Sequence, residues 1–157
     1  MISDVSVESF VRVPGGEYVS SGDMDRPPGD PDYVEGYIRI VMGGREVMGA
    51  EDWDLVDQLW AYIARMLHEV VDSGEAFTLF PDQPLELAFR REGSRLMIRC
   101  GEKKAEAELT STVSTLKEAA LRFFRDLDRV QQAESWRNAD VRDQWEALAA
   151  PTAHGRA

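Results

Sequence analysis

Hydrophobic residues recur along this chain with two different periods, and the points where the period changes outline its elements. Val5, Val7, Val11 and Val13 follow the period-two pattern of a half-buried strand. The stretch PGGEYVSSGDMDRPPGDPDY, from Pro14 to Tyr33, carries four glycines and four prolines and reads as a long loop or linker. The first strand is therefore expected to be a loosely attached arm. YIRIVMGGREVMG, Tyr37 to Gly49, predicts a hairpin, because Gly43-Gly44 accepts the positive φ of a two-residue turn. Pairing across that turn sets Ile40 opposite Val47 and Ile38 opposite Gly49.

The period then changes. Val56, Leu59, Trp60, Ile63, Leu67 and Val70 recur at spacings of three and four, one stripe of an amphipathic helix of about 20 residues. Gly49 or Asp52 would be its N-cap, and Ser73-Gly74 its stop. FTLFPDQPLELAFRREGSRLMIRCGEKKAEAELT returns to period two and predicts an antiparallel meander. A turn at Glu92-Gly93 would pair Leu85 with Cys100, Leu87 with Ile98, and Phe89 with Leu96. One at Glu102-Lys103 would pair Leu96 with Leu109, Ile98 with Ala107, and Cys100 with Ala105. All these residues share one apolar face. On the other face Arg99 falls between Glu86 and Glu106, whereas Arg90 lands opposite Arg95.

Val113, Leu116, Ala120, Phe123, Leu127 and Val130 mark a second long helix. It starts at a capping box, Thr115 to Glu118, or at Ser111 or Thr112. Val141, Trp145 and Leu148 mark a short third helix over Asp140 to Ala149. The expected class is α+β: an antiparallel β-sheet, made of the hairpin and a three-stranded meander, packed on one face by two long amphipathic helices. The expected organisation is an N-terminal strand and Pro/Gly-rich loop over 1–33, an α+β core domain over 34–133, and a short helix with a disordered tail over 134–157.

Composition changes the picture in one respect. Among 157 residues, 43% hydrophobic and 30% charged, the net charge of −11 is concentrated early: residues 1–60 hold 13 acids against 4 bases. Such a chain repels nucleic acid and attracts basic partners. No run reaches the ~20 apolar residues of a membrane span, and the start shows no signal-peptide pattern. With the single cysteine, Cys100, these features point to the cytoplasm.

Candidate chemistry is sparse. His68 lies off the apolar stripe, four residues before Asp72, and His154 lies in the tail. Cys100 points into the predicted core. No CxxC or HxxxH is present, and Asp23, Asp25, Asp30 and Asp32 lack the glycine and terminal glutamate of a calcium loop. We therefore expect no catalytic group, metal or cofactor. The dense acids are Glu51, Asp52, Asp54 and Asp57, around Trp53. On the helical wheel Asp54 and Asp57 fall on the polar side, where nothing raises their pKa, and the acids project into solvent. Acids there stabilise a helix start, and with Trp53 they form the expected partner-binding set.

Several of these features occur together in a recognisable type of small acidic bacterial protein. They are Gly43-Gly44 in the hairpin, Trp53-Asp54 with Asp57 and Leu59-Trp60, Gly74, Phe80-Pro81-Asp82-Gln83-Pro84, and Phe123-Phe124. Over residues 34–130 the chain resembles this type, some members of which are similar to the cytoplasmic immunity proteins of polymorphic toxin systems. That resemblance implies a protein that blocks a cognate toxin by binding it, and the acidic charge and absent catalytic groups make the expected protein non-enzymatic and its toxin basic. Two other functions stay open. One is a small anionic-ligand-binding protein or enzyme with a site between sheet and helices, suggested by Arg90 and Arg95. The other is an acidic mimic of nucleic acid.

Overall fold

The computed structural model describes residues 4–30, 33–131 and 136–148. The class is α+β, as the pattern predicts, but the strands form two antiparallel sheets. The first has the order β2-β1-β3-β4, from β1 (Val5–Arg12), β2 (Tyr18–Ser20), β3 (Glu35–Met42) and β4 (Arg45–Met48). A two-residue strand, β5 (Asp54–Leu55), adds to β3. The second sheet is a four-stranded meander of β6 (Glu75–Leu79), β7 (Glu86–Glu92), β8 (Arg95–Cys100) and β9 (Lys103–Glu108). The strand β4 lies against β8 and β9 without joining them in a ladder.

Two long helices fill the common inner side. The first, α1 (Val56–Ser73), packs on β3, β6 and β7, and the second, α2 (Leu109–Gln131), packs on β1, β8 and β9. A third, α3 (Trp136–Ala147), packs against both. It begins earlier than Asp140, and the expected tail from residue 149 lies outside the described residues. Lys117 Nζ donates to the Glu146 and Leu148 carbonyls, at 3.3 and 2.8 Å, and so satisfies orphan acceptors at the end of α3. The helix α2 starts directly after β9, ahead of all three expected starts. Thr112 Oγ1 donates to the Glu108 carbonyl at 2.6 Å, so it serves inside the first turn instead of capping it.

The N-terminal strand is not a loose arm. It lies between β2 and β3, pairs with β3 over seven residues, and buries Val5, Val11 and Val13. The β3–β4 hairpin turns at Gly43-Gly44 as expected, but its register differs. A bulge between Ile40 and Val41 sets Ile40 opposite Met48 instead of Val47. The extra residue lets both Val47 and Met48 be fully buried. In the meander the first turn lies one residue later than predicted and the second one residue earlier, so Leu87 pairs with Cys100, Phe89 with Ile98, and Ile98 with Ala105. Each partner has slipped by two positions, which keeps every side chain on its predicted face.

The core converges on Trp60, which is fully buried. Its indole N–H donates to Ser9 Oγ on β1 at 3.0 Å. The ring meets Trp145 of α3 edge-on at 5.5 Å, and the Trp145 N–H donates to the Trp60 carbonyl at 3.2 Å. One side chain thus joins the first sheet to two helices. We predict that Trp60→Ala costs about 3–5 kcal/mol, from lost burial and a large cavity. Ser9→Ala keeps the packing but strands a buried N–H, so it should cost about 1–3 kcal/mol. Urea unfolding of the two variants checks both the magnitudes and their order.

Candidate docking face

The acid-rich segment is built as a strand and not as a helix. Ala50–Asp52 form one 3-10 turn, Trp53 is extended, and β5 follows before α1 begins at Val56. On β3, Gly36 lies opposite Asp54 of β5 and admits the close approach of β1 and α1, since a Cβ there would stand 2.1 Å from the Phe10 carbonyl oxygen and 2.9 Å from Val56 Cγ1. Side chains here therefore alternate, with Asp52, Asp54 and Val56 inward and Glu51 and Trp53 outward. The expectation that the acids project into solvent is corrected for this reason: the helical wheel does not apply ahead of Val56.

Each inward acid has a structural task. Asp52, 5% exposed, accepts the Gly49 N–H at 3.0 Å and Lys103 Nζ at 2.6 Å. Lys103 also reaches Glu51, at 2.6 Å, so one ammonium ties the 3-10 turn to β9. Burial works against the lysine charge, but hydrogen bonds to Asp52 and Glu51 outweigh it and hold the ammonium above its ordinary pKa. The hydrogen bond from Lys103, and its charge, hold the Glu51 carboxyl below its ordinary value. Asp54, 2% exposed, accepts the Leu55 N–H at 2.6 Å and the Asp82 N–H at 3.2 Å. Gln83 Nε2 donates to the Trp53 carbonyl at 2.8 Å. The Trp-Asp pair and the Phe80–Pro84 stretch, far apart in the chain, are thus bonded to each other. Asp57 is half-buried, and burial pushes its carboxyl up to about 6 against the hydrogen bond from the Gln58 N–H. This corrects the expectation that nothing raises its pKa.

Of the five residues expected to bind a partner, Glu51 and Trp53 face solvent. Trp53 is 46% exposed and directly precedes β5, which pairs with β3, the strand whose Tyr37 belongs to an aromatic surface that sequence reasoning missed. On the outer face of the first sheet Phe10 stacks on its cross-strand partner Tyr37 at 4.5 Å, and Tyr18 meets Tyr37 edge-on at 5.4 Å. Burial, first of all, raises the pKa of both tyrosines, which keeps them neutral phenols. A cleft of about 590 Å³ is lined by Arg12, Asp30, Tyr33, Glu35, Leu55 and Asp82 among others. It shares Glu35, Leu55 and Asp82 with a smaller hollow of about 170 Å³ at Trp53, Asp54 and Gln83. Four carboxylates and one guanidinium line the two together, and that guanidinium, Arg12, is paired with Glu35 at 3.2 Å. The available signal was that Phe10, Tyr37 and Leu55 each stand between two buried neighbours in the chain, the alternation of an outward face. For Leu55 the acids before the amphipathic stripe mask it, because they mimic a helix start.

The other candidates lead elsewhere. His68 Nε2 bonds the Gln144 carbonyl at 3.1 Å, and His154 lies outside the described residues. Cys100 is buried, and burial, aided by the Asp52 charge, pushes its thiol up to about 12. Arg90 does not oppose Arg95. The shifted register sets it against Met97, with Glu92 at 3.7 Å, while Arg95 pairs with Glu106 at 3.2 Å. The charge clash that suggested an anionic ligand is therefore absent. Among the described residues no group of three or more His, Cys, Asp or Glu could hold a metal ion, and no helix is long and apolar enough to cross a membrane. Comparison with known families, curated proteins and solved structures finds no match for the chain.

Two substitutions separate the roles of these acids. Asp54→Ala leaves two main-chain amides without their acceptor and should cost about 1–3 kcal/mol. Asp57→Asn should do the reverse. The folded-state pKa of Asp57 lies above its ordinary 3.8, so ionisation lowers stability as pH rises toward about 6, and the full cost is present above it. The variant should therefore melt higher than the parent at neutral pH, by about 1–3 kcal/mol of stability, and converge with it in acid. Melting curves across pH check both.

Proposed function

We propose that this chain is a non-enzymatic protein-binding module of the immunity kind, which neutralises a basic protein toxin in the cytoplasm by covering it. The observation that carries the reading is the exposed Trp53 beside an acid-lined cleft that continues past Tyr33. A half-exposed indole is a costly feature on a free surface and an effective anchor in an interface, where tryptophan and tyrosine dominate binding energy. Its orientation is supported from behind: Asp52 and Asp54 are fixed inward, and Gln83 holds the Trp53 carbonyl. The surrounding carboxylates suit a partner with lysine or arginine at its contact face, and the acidic first sixty residues would speed the encounter.

Binding of the chain to the basic product of its neighbouring gene, measured by calorimetry and stopped flow, tests this. Trp53→Ala should weaken the complex by about tenfold to several hundredfold while leaving the melting temperature of the free chain unchanged. Asp82→Asn should slow association, more at low salt than at high. A complex indifferent to Trp53, or a basic neighbour that does not bind at all, would refute the proposal.

A further inference from the structure

The first strand of the meander closes one side of the second sheet, and its free edge is unlike the protein's other edges. Exposed edge strands invite pairing with other chains, and proteins blunt them by shortening or charging them. Here β2 has three residues, β4 has four and lies against β9, and β9 reads KKAEAE. By contrast β6 reads EAFTL and presents Phe77 and Leu79, 54% and 47% exposed, to solvent. The ladder to β7 is phased by two hydrogen bonds, from the Phe80 N–H to the Leu85 carbonyl and from the Arg91 N–H to the Gly74 carbonyl. Antiparallel pairs exchange bonds at alternate residues. Ala76 and Thr78 therefore bond toward β7, and the main-chain groups of Glu75, Phe77 and Leu79 point away. The Glu75 and Leu79 carbonyls each take a hydroxyl, from Ser73 and Thr78, at 3.1 Å. Those of Phe77 have no such partner among the described residues.

We propose that β6 pairs with β6 of a second copy of this chain, antiparallel about a two-fold axis at Phe77, so that two meanders become one continuous sheet. Three features favour a second copy over a foreign strand. The outward groups lie symmetrically about Phe77, so this register gives each outward amide a carbonyl to meet. The side chains are self-complementary: Phe77 meets Phe77, and Glu75 faces Leu79 of the other copy, so no like charges oppose. Beneath the edge, Arg65 of α1 donates to Thr78 Oγ1 at 3.2 Å and pairs with Glu69 at 3.8 Å. The two-fold reverses this pair end for end and turns Arg65 of each copy toward Glu69 of the other.

Sedimentation velocity of the full chain, from micromolar to submillimolar concentration, tests the pairing. A dimer is expected, with exchange of the Phe77 amide slowing as concentration rises. Phe77→Lys alters an exposed side chain, so it should weaken the dimer by at least about tenfold while the dilute protein melts as before. Glu69→Arg should also weaken it, and Arg65→Glu with Glu69→Arg should restore it, a rescue that simple misfolding cannot produce. A chain that stays monomeric throughout, or a dimer that Phe77→Lys leaves intact, overturns the proposal. So does a Phe77 amide protected only when a strand of a different protein is bound.

Discussion

One buried carboxylate governs how the two sheets meet. Asp54 sits in the short strand that lies along Gly36, and its oxygens hold the amides of Leu55 and Asp82. The first contact fixes where α1 begins, and the second fixes how the chain re-enters the second sheet. A carboxylate can satisfy two amides at once and is strengthened by its own charge, whereas an apolar residue here would leave both unpaired. Because Asp54 must point inward, a period of two forces Trp53 outward. The candidate docking residue is therefore exposed as a consequence of how the fold is joined, and its position is set by buried neighbours.

Behind this junction the core works as one body. Trp60 touches β1 through Ser9 and α3 through Trp145 while belonging to α1, so the N-terminal strand, the two sheets and the last described helix share a single apolar interior. The two ties nearer the surface, Lys103 with Asp52 and Arg142 with Asp128, connect elements that the apolar core already holds together. Their contribution is chiefly to fix orientation, since the attraction within such pairs is largely offset by the cost of taking the charges out of water.

The long helices and the burial of each strand face were legible because their periodicity extends over many residues. Leu87, Phe89, Leu96 and Ile98 face inward whichever nearby turn is chosen, and for that same reason the pattern could not distinguish the observed register from one slipped by two. The slipped register would set Arg90 opposite Arg95, whereas the observed one sets it opposite Met97. The bulge at Ile40 was hidden because Val47 and Met48 are both apolar. The segment from Glu51 to Asp57 was misread because acids before an amphipathic stripe are the usual mark of a helix start, and only the distant partners Gly36, Asp82 and Lys103 show that the chain there is extended. The single resemblance motif that proved physically connected, Trp53-Asp54 with Asp82-Gln83, is joined by tertiary hydrogen bonds that no local pattern encodes.

The central claim is that Asp52 and Asp54 are inward structural groups while Glu51 and Trp53 face the solvent. Carboxyl footprinting addresses it residue by residue: the native protein is labelled with a carbodiimide and an amine, and the sites are read by tandem mass spectrometry. Glu51 and Asp82, both exposed, should label readily, and Asp52 and Asp54 slowly, until urea brings all four to a common rate. Native labelling of Asp52 and Asp54 as fast as Glu51 would place these acids on the surface and contradict the account.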